Sequence, residues 1–190
     1  MSIRYLLIDT DGGGSFGVQP DPGYTTGWLD GLVGPEGWYR VPLHPAWLMS
    51  GFVNDCGLLA PETYPRNVVG SVVLCTLGAG QQPYAGPVVI TGWDASATAR
   101  GGLEISTLQD PHVEELTRCL TDVRRALGLE PGQPSGRNGR RWVAEAREFA
   151  EHVRTVPTPR ITVLSGEDAI AALRGGDYSR FANHEGGDVR

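Results

Sequence analysis

The sequence predicts an α+β fold, with an N-terminal mixed or antiparallel β-sheet and a short helix, followed by a helical C-terminal portion with one short strand. Two observations lead to this prediction. The first hundred residues contain short apolar runs separated by turns rich in glycine and proline, which is typical of strands. Beyond residue 110, apolar residues recur at steps of three and four, which indicates amphipathic helices. With 190 residues, the protein can bury a core without a disulfide or a metal.

The N-terminal elements follow from apolar runs and from the turns between them. The first strand is Ile3–Ile8, and it ends at a loop that begins with Asp9. Residues 26–33 and 38–41 are predicted to form a hairpin, because a Gly-Pro-Glu-Gly turn separates them. Pro45 is suited to the first position of a short helix. This helix is predicted over about 45–54. Two central strands are predicted over 68–77 and 87–93.

The C-terminal third has the clearest helical pattern. A helix is predicted over 111–127, starting at Asp110-Pro111 and ending at Gly128, with Leu116, Leu120 and Val123 facing the sheet. A second helix is predicted over about 140–154. A short strand over Ile161–Leu164 and a short helix capped by Ser165 should follow. We therefore expect a β-rich domain over 1–109, a helical portion over 110–176 packed on or appended to it, and a polar tail over 177–190.

Composition limits the classes of function. The net charge is -6, and all 16 basic residues are arginines, so a mechanism that needs lysine is excluded. In residues 1–135, acidic residues outnumber arginines two to one, which argues against binding to a nucleic-acid backbone. We find neither a signal peptide nor an apolar stretch long enough to span a membrane. The sequence therefore predicts a cytoplasmic protein with no membrane partner.

Cysteine and histidine spacing gives no metal or cofactor motif. Cys56, Cys75 and Cys119 form no Cys-x-x-Cys pair, and the four histidines are dispersed along the sequence. We expect three reduced thiols in a reducing compartment and no bound metal. The sequence also lacks a Walker loop for nucleotide phosphates and a Gly-x-Ser-x-Gly elbow for a catalytic serine. We expect no cofactor.

The strongest catalytic candidate is Asp9-x-Asp11-Gly12 after the first strand. This arrangement resembles the first motif of haloacid-dehalogenase phosphatases, in which the first aspartate attacks phosphorus. The lysine and the later acidic pair of that family are missing here. The alternative interpretation is a strand-to-turn junction, because aspartate and glycine favour turns. A small hydrolase or transferase with a site around Asp9, Asp11 and His44 remains the alternative function.

Four aromatic residues in the first quarter of the sequence are candidate binding residues: Trp28, Trp38, Tyr39 and Trp47. One interpretation places Trp28 and Trp38 in the core as a cross-strand pair. The other places the aromatic residues in an interface, because aromatic side chains dominate protein–protein contacts.

Several segments together resemble a small domain of unknown function that is common in bacteriophages and mobile elements, including those of actinobacteria. The segments are residues 3–12, 37–42, 43–47, 67–74 and 86–92, and the resemblance covers about residues 3–95. His44 stands where that family usually has asparagine. The resemblance implies a phage or mobile-element context and transfers no catalytic residue. The sequence thus favours a non-enzymatic accessory protein that binds a protein partner or forms a homo-oligomer.

Overall fold

A computed structural model describes residues 2–20, 26–94, 96, 104–135 and 140–158. Within these ranges the protein forms six strands and four helices, and it confirms the α+β class. The strands are β1 Ile3–Ile8, β2 Gly14–Gln19, β3 Trp38–Pro42, β4 Met49–Asn54, β5 Val88–Trp93 and β6 Ile105–Ser106. The helices are α1 Asp30–Val33, α2 Val68–Thr76, α3 Asp110–Ala126 and α4 Arg140–Thr155.

All strand pairs of the sheet are antiparallel. The order is β2-β1-β5-β4-β3, and β6 pairs with the end of β5. β1 and β2 form a hairpin in which Leu6 lies opposite Phe16. β5 lies at the centre, where Ile90 pairs with Leu6 of β1 on one side and with Gly51 of β4 on the other. Among the described strands, β2 and β3 therefore stand at the two ends of this order.

Both faces of the sheet are covered, by different elements. Leu6 and Ile8 point to a core that includes α2, α3 and α4. Ile3 lies on the opposite face, in a smaller core with Leu29 and Val33 from the α1 region. α4 packs against α2 and α3. α3 and α4 thus share a core with the sheet.

α2 corrects the prediction of a strand over 68–77. Six of the nine residues of α2 are buried and the other three are partly buried, because sheet residues such as Val88 lie on one side and α3 and α4 lie on the other. A helix that is apolar all round shows no 3.6-residue period, so its short β-branched run looks like a buried strand. Asn67 supplies the start of the helix, since its Oδ1 atom accepts a hydrogen bond from the Gly70 amide at 2.7 Å.

The predicted hairpin over 26–33 and 38–41 is also wrong. Residues Asp30–Val33 form α1, and β3 pairs with β4 instead. The predicted helix over 45–54 is limited to a 3-10 turn at Pro45–Trp47, which ends at Leu48 in the left-handed region with φ 49. Met49–Asn54 is a strand that is buried on both faces, so its sequence shows no alternation.

The other elements agree more closely with the sequence. β1, β5, α3 and α4 lie where strands or helices are predicted, and β2 is an additional strand. In α3, Leu116 and Val123 are fully buried and Leu120 packs against the core. The predicted strand Ile161–Leu164, the helix capped by Ser165 and the tail lie outside the described residues. None of the described helices combines the length and apolar character needed to cross a lipid bilayer.

Candidate functional site

Asp9 and Asp11 lie in the turn of the β1–β2 hairpin, and both side chains are exposed. The backbone N–H of Asp9 donates to the Gly13 carbonyl at 2.8 Å, and the Asp9 carbonyl accepts from the Gly12 amide at 2.9 Å. The Asp11 carboxylate accepts a hydrogen bond from the Gly13 amide at 2.7 Å. Gly12 has a φ of +82°, a conformation that glycine adopts at little cost. In this structure the two aspartates contribute to the geometry of a turn.

His44 lies far from these aspartates. Its Nδ1 atom accepts a hydrogen bond from the Ala46 amide at 3.3 Å, and its backbone N–H donates to the Leu77 carbonyl at 2.9 Å, just beyond the C-terminal end of α2. Gly12 packs instead against Val69, at the N-terminal end of α2. A helix of nine residues is about 13 Å long. The structure therefore does not bring the three residues of the hydrolase hypothesis into one cleft.

The four aromatic candidates are divided between the two faces of the sheet. The ring centroid of Trp28 lies 5.5 Å from that of Tyr5. Trp38 meets Phe52 edge to face, with centroids 5.3 Å apart. Both tryptophans pack against the core that contains α1. Trp28 and Trp38 are thus not a cross-strand pair.

Tyr39 and Trp47 belong to the helix-covered side. Tyr39 pairs across the strands with Val53, a residue of the larger core, and its side chain is 51% exposed. Trp47 packs against the same core and borders a cleft of ≈ 410 Å³ with His44 and Leu77. The four residues therefore do not form one aromatic surface.

A different set of residues forms a cleft on the α1 face of the sheet, which we call the aromatic cleft. It has a volume of ≈ 400 Å³. It is lined by Thr26, Trp38, Arg40, Phe52, Trp93, Glu104 and Ile105. The guanidinium carbon of Arg40 lies 4.1 Å from the ring centroid of Trp93, in a cation–π contact. Of these residues, Trp38 alone is predicted from the sequence as a binding residue, because the cleft is assembled from strands whose pairing the sequence does not reveal.

A second feature, the open edge, is the outer side of β2. Within the described residues β2 pairs with β1 alone. Phe16 is 40% exposed and Val18 is 58% exposed. Both lie on the helix side of the sheet. Phe16 also lines a groove of ≈ 380 Å³ together with Leu120 and Arg124 of α3. An uncovered strand edge offers backbone hydrogen bonds to an incoming strand.

A polar cluster near β4 joins Glu36, Tyr64 and Asn54. The Tyr64 hydroxyl and the Asn54 amide nitrogen both donate hydrogen bonds to the Glu36 carboxylate, the latter at 3.1 Å. The bond from Tyr64 holds the pKa of Glu36 below its ordinary value and raises the pKa of Tyr64. Tyr64 is buried, and Asn54 also binds the Val33 carbonyl at 3.1 Å. The cluster connects α1, β4 and the loop that precedes α2.

The described residues include no group of three or more histidine, cysteine or acidic side chains placed to hold a metal ion. The three cysteines are free thiols, and burial raises the pKa of Cys119 to about 12. Comparison with known proteins found no matching family model, no matching curated protein and no matching solved structure. The resemblance to the phage domain therefore stays a prediction.

Proposed function

We propose that this protein is a non-enzymatic accessory protein that binds a partner protein by strand addition at the open edge of β2. The observation that carries the proposal is the exposure of Phe16 and Val18 on an edge strand that, within the described residues, pairs on one side only. In strand addition, backbone hydrogen bonds supply affinity, and pockets for alternate side chains supply specificity. The groove beside Phe16 and Leu120 offers such a pocket.

The composition of β2 supports this role. Natural edge strands are commonly protected by charged residues or by proline, because an unprotected edge pairs with other proteins. The six residues Gly14–Gln19 contain neither a charge nor a proline. Phe16 and Val18 are two residues apart, so both contact one face of an added strand. We infer a partner segment with apolar residues at alternate positions.

The charge of the protein indicates which charge a partner should carry. The groove contains Arg124 and Glu130, whose side chains pair with each other at 3.5 Å, so their charges largely offset one another. The whole protein carries a net charge of -6. Long-range attraction therefore favours a basic partner.

Two considerations favour binding over catalysis. Asp9 and Asp11 lie near one end of α2 and His44 lies near the other, so the proposed hydrolase site lacks a common cleft. The resemblance of residues 3–95 to the phage domain supports an accessory role in the cytoplasm of an actinobacterial host, in the context of a phage or mobile element.

The test compares two exposed edge positions. Three proteins are immobilised: wild type, Val18→Lys on β2 and Tyr39→Lys on β3. Mass spectrometry identifies the proteins that each of them captures from a host lysate. We expect a protein that wild type and Tyr39→Lys retain and that Val18→Lys loses, because a lysine on an edge strand disfavours strand addition. Hydrogen exchange of the complex should then show slower exchange of the β2 amides.

Four outcomes would contradict the proposal. They are no capture by wild type, equal capture by all three proteins, loss in Tyr39→Lys alone, and unchanged exchange of the β2 amides in the complex. Size-exclusion chromatography distinguishes a further case. A homodimer that Val18→Lys converts to a monomer would show that the strand comes from a second copy of this protein.

A further inference from the structure

The aromatic cleft is built from the middle of the sheet. Phe52 is almost fully buried and pairs across β3 and β4 with Arg40. Trp38 packs with its ring at 76° to that of Phe52, and Trp93 stands at the end of β5. Small-molecule sites are typically concave, largely apolar and about 300–1,000 Å³ in volume. With ≈ 400 Å³ and three aromatic walls, the cleft is of a suitable size for a single ring and a short substituent.

Arg40 gives the cleft a charged binding group. Its guanidinium is held over the ring of Trp93 at 4.1 Å. Within the described residues, the contact recorded for this guanidinium is its stack on Trp93. A guanidinium carries five N–H donors at its edge, and stacking on a ring leaves that edge accessible. The site therefore presents a positioned donor set that matches the two oxygens of a carboxylate.

The charges around Arg40 favour one class of ligand. Arg40 already occupies a face of Trp93, so the cleft does not provide a cage for a second cation. The net charge of the protein is -6. A dianionic phosphate would meet more repulsion here than a monoanion would.

We propose that the aromatic cleft binds a small aromatic carboxylate, with the carboxylate on Arg40 and the ring between Trp38 and Trp93. The ligand is either a free aromatic acid or the C-terminal residue of a peptide, since both present the same chemistry. This site lies on the opposite face of the sheet from Phe16 and Val18. It therefore does not overlap the surface proposed for strand addition at β2.

Calorimetric titration at pH 7 tests the proposal with matched probes. 3-Phenylpropanoate is compared with 3-phenylpropan-1-ol, which has the same ring and no charge, and with phenyl phosphate. We expect saturable 1:1 binding of the carboxylate, and affinity about 10- to 100-fold weaker for the alcohol, because a charge-assisted hydrogen bond is lost. The phosphate should bind more weakly than the carboxylate.

Two variants assign the effect to Arg40. Arg40→Gln should reduce carboxylate affinity to that of the alcohol and leave the alcohol unchanged. Arg141→Gln is the matched control, because Arg141 is exposed on α4 and pairs with Glu145 at 2.7 Å. Circular dichroism checks that both variants fold. If Arg40→Gln does not fold, the comparison of acid and alcohol on wild type still decides the question.

A peptide of three glycines followed by a C-terminal phenylalanine distinguishes the two possible sources of the ligand. It is titrated with a free C-terminal carboxylate and, separately, with a C-terminal amide. If the peptide acid binds more tightly than 3-phenylpropanoate, the ligand is the carboxyl terminus of a peptide. If 3-phenylpropanoate binds more tightly, the ligand is a small molecule. Equal affinities for 3-phenylpropanoate and the alcohol, no binding of any carboxylate, or tighter binding of the phosphate would overturn the proposal. So would full affinity in a folded Arg40→Gln variant.

Discussion

The side-chain amide of Asn67 donates a hydrogen bond to the main-chain carbonyl of Ile8 at 2.9 Å and so joins the start of α2 to the end of β1. The same nitrogen donates to the Gly86 carbonyl at 3.0 Å, next to the start of β5. The side-chain oxygen caps α2 at the Gly70 amide. Asn67 is completely buried. One side chain thus fixes the helix against two neighbouring strands of the sheet.

Replacing Asn67 by aspartate should strongly destabilise the protein. Asn67→Asp keeps the shape, but it places a carboxylate oxygen against the carbonyls of Ile8 and Gly86 in a fully buried site. We expect the free energy of unfolding to fall by about 3 kcal/mol or more. Urea denaturation measures the change, and Gln81→Glu makes the same exchange at an exposed position. A loss below about 1 kcal/mol in Asn67→Asp would contradict this account of the cap.

Gly70 should resist substitution although it lies in a helix. A Cβ atom at this position would lie 2.7 Å from the Cγ2 atom of Val88. Alanine is favoured over glycine in helices by about 1 kcal/mol, but overpacking at a helix–sheet contact costs about 1–3 kcal/mol. We expect Gly70→Ala to destabilise the protein, while Gly31→Ala in α1 does not, because no atom lies within 4 Å of its Cβ. Equal thermal midpoints for the two variants would show that α2 can move away from the sheet.

The success of sequence-based prediction depended on where each element lies. α3 has one buried face and one exposed face, so the spacing of Leu116 and Val123 predicts it correctly. Every residue of β4 and most residues of α2 are buried, and their largely apolar runs do not reveal the backbone conformation. The spacing of apolar residues is sufficient to predict an element when only one of its faces packs against the rest of the protein.

The candidate site shows the same limit. Asp9 and Asp11 act within one turn, so the alternative of a strand-to-turn junction was available from sequence. The aromatic cleft joins Arg40 of β3 to Trp93 of β5 over a separation of 53 positions, and β4 lies between them. The predicted hairpin gives β3 the wrong neighbour, so the sequence does not reveal Arg40 and Trp93 as a pair. Such a site depends on strand pairing between distant segments.

Two leucines on α3 should respond differently to the same substitution. Leu116 is fully buried, and Leu116→Ala should lower the free energy of unfolding by about 2–5 kcal/mol. Leu120 is half-buried and lines the groove together with Phe16. Leu120→Ala should therefore lower the free energy of unfolding by less than Leu116→Ala does. Chemical denaturation of both variants gives the comparison. A larger loss in Leu120→Ala would mean that the groove is closed in solution.

The thiols should differ in reactivity. Cys119 is buried, and its pKa of about 12 leaves about one molecule in ten thousand as thiolate at pH 8. Burial also raises the pKa of Cys75, which is less buried than Cys119. We expect iodoacetamide at pH 8 to modify Cys119 last in the native protein and all three thiols in urea, as followed by mass spectrometry. Early modification of Cys119 would indicate that α3 opens frequently.

The hydrogen-bonded pair Glu36 and Tyr64 should make the stability of the protein depend on pH. The pKa of Glu36 is lowered in the folded state, so its contribution to stability is complete well above its unfolded pKa of about 4.3. This contribution is lost as the pH falls through the folded pKa. The pKa of Tyr64 is raised, so its contribution is present below about pH 10 and lost at higher pH. The pair should therefore stabilise the protein most between these limits.

Tyr64→Phe isolates this effect, because it removes the hydroxyl donor and keeps the buried ring. We expect its urea midpoint to lie below that of wild type at pH 7, and the difference to narrow at pH 3, where Glu36 becomes protonated in wild type as well. The hydrogen bond from Asn54 to Glu36 remains in the variant, so part of the acid sensitivity should persist. Glu36→Gln provides the control, since its midpoint should fall less than that of wild type between pH 7 and pH 3. A difference between wild type and Tyr64→Phe that stays constant from pH 7 to pH 3 would exclude the ionised carboxylate as the acceptor of the Tyr64 hydrogen bond, because the neutral acid would then serve equally well.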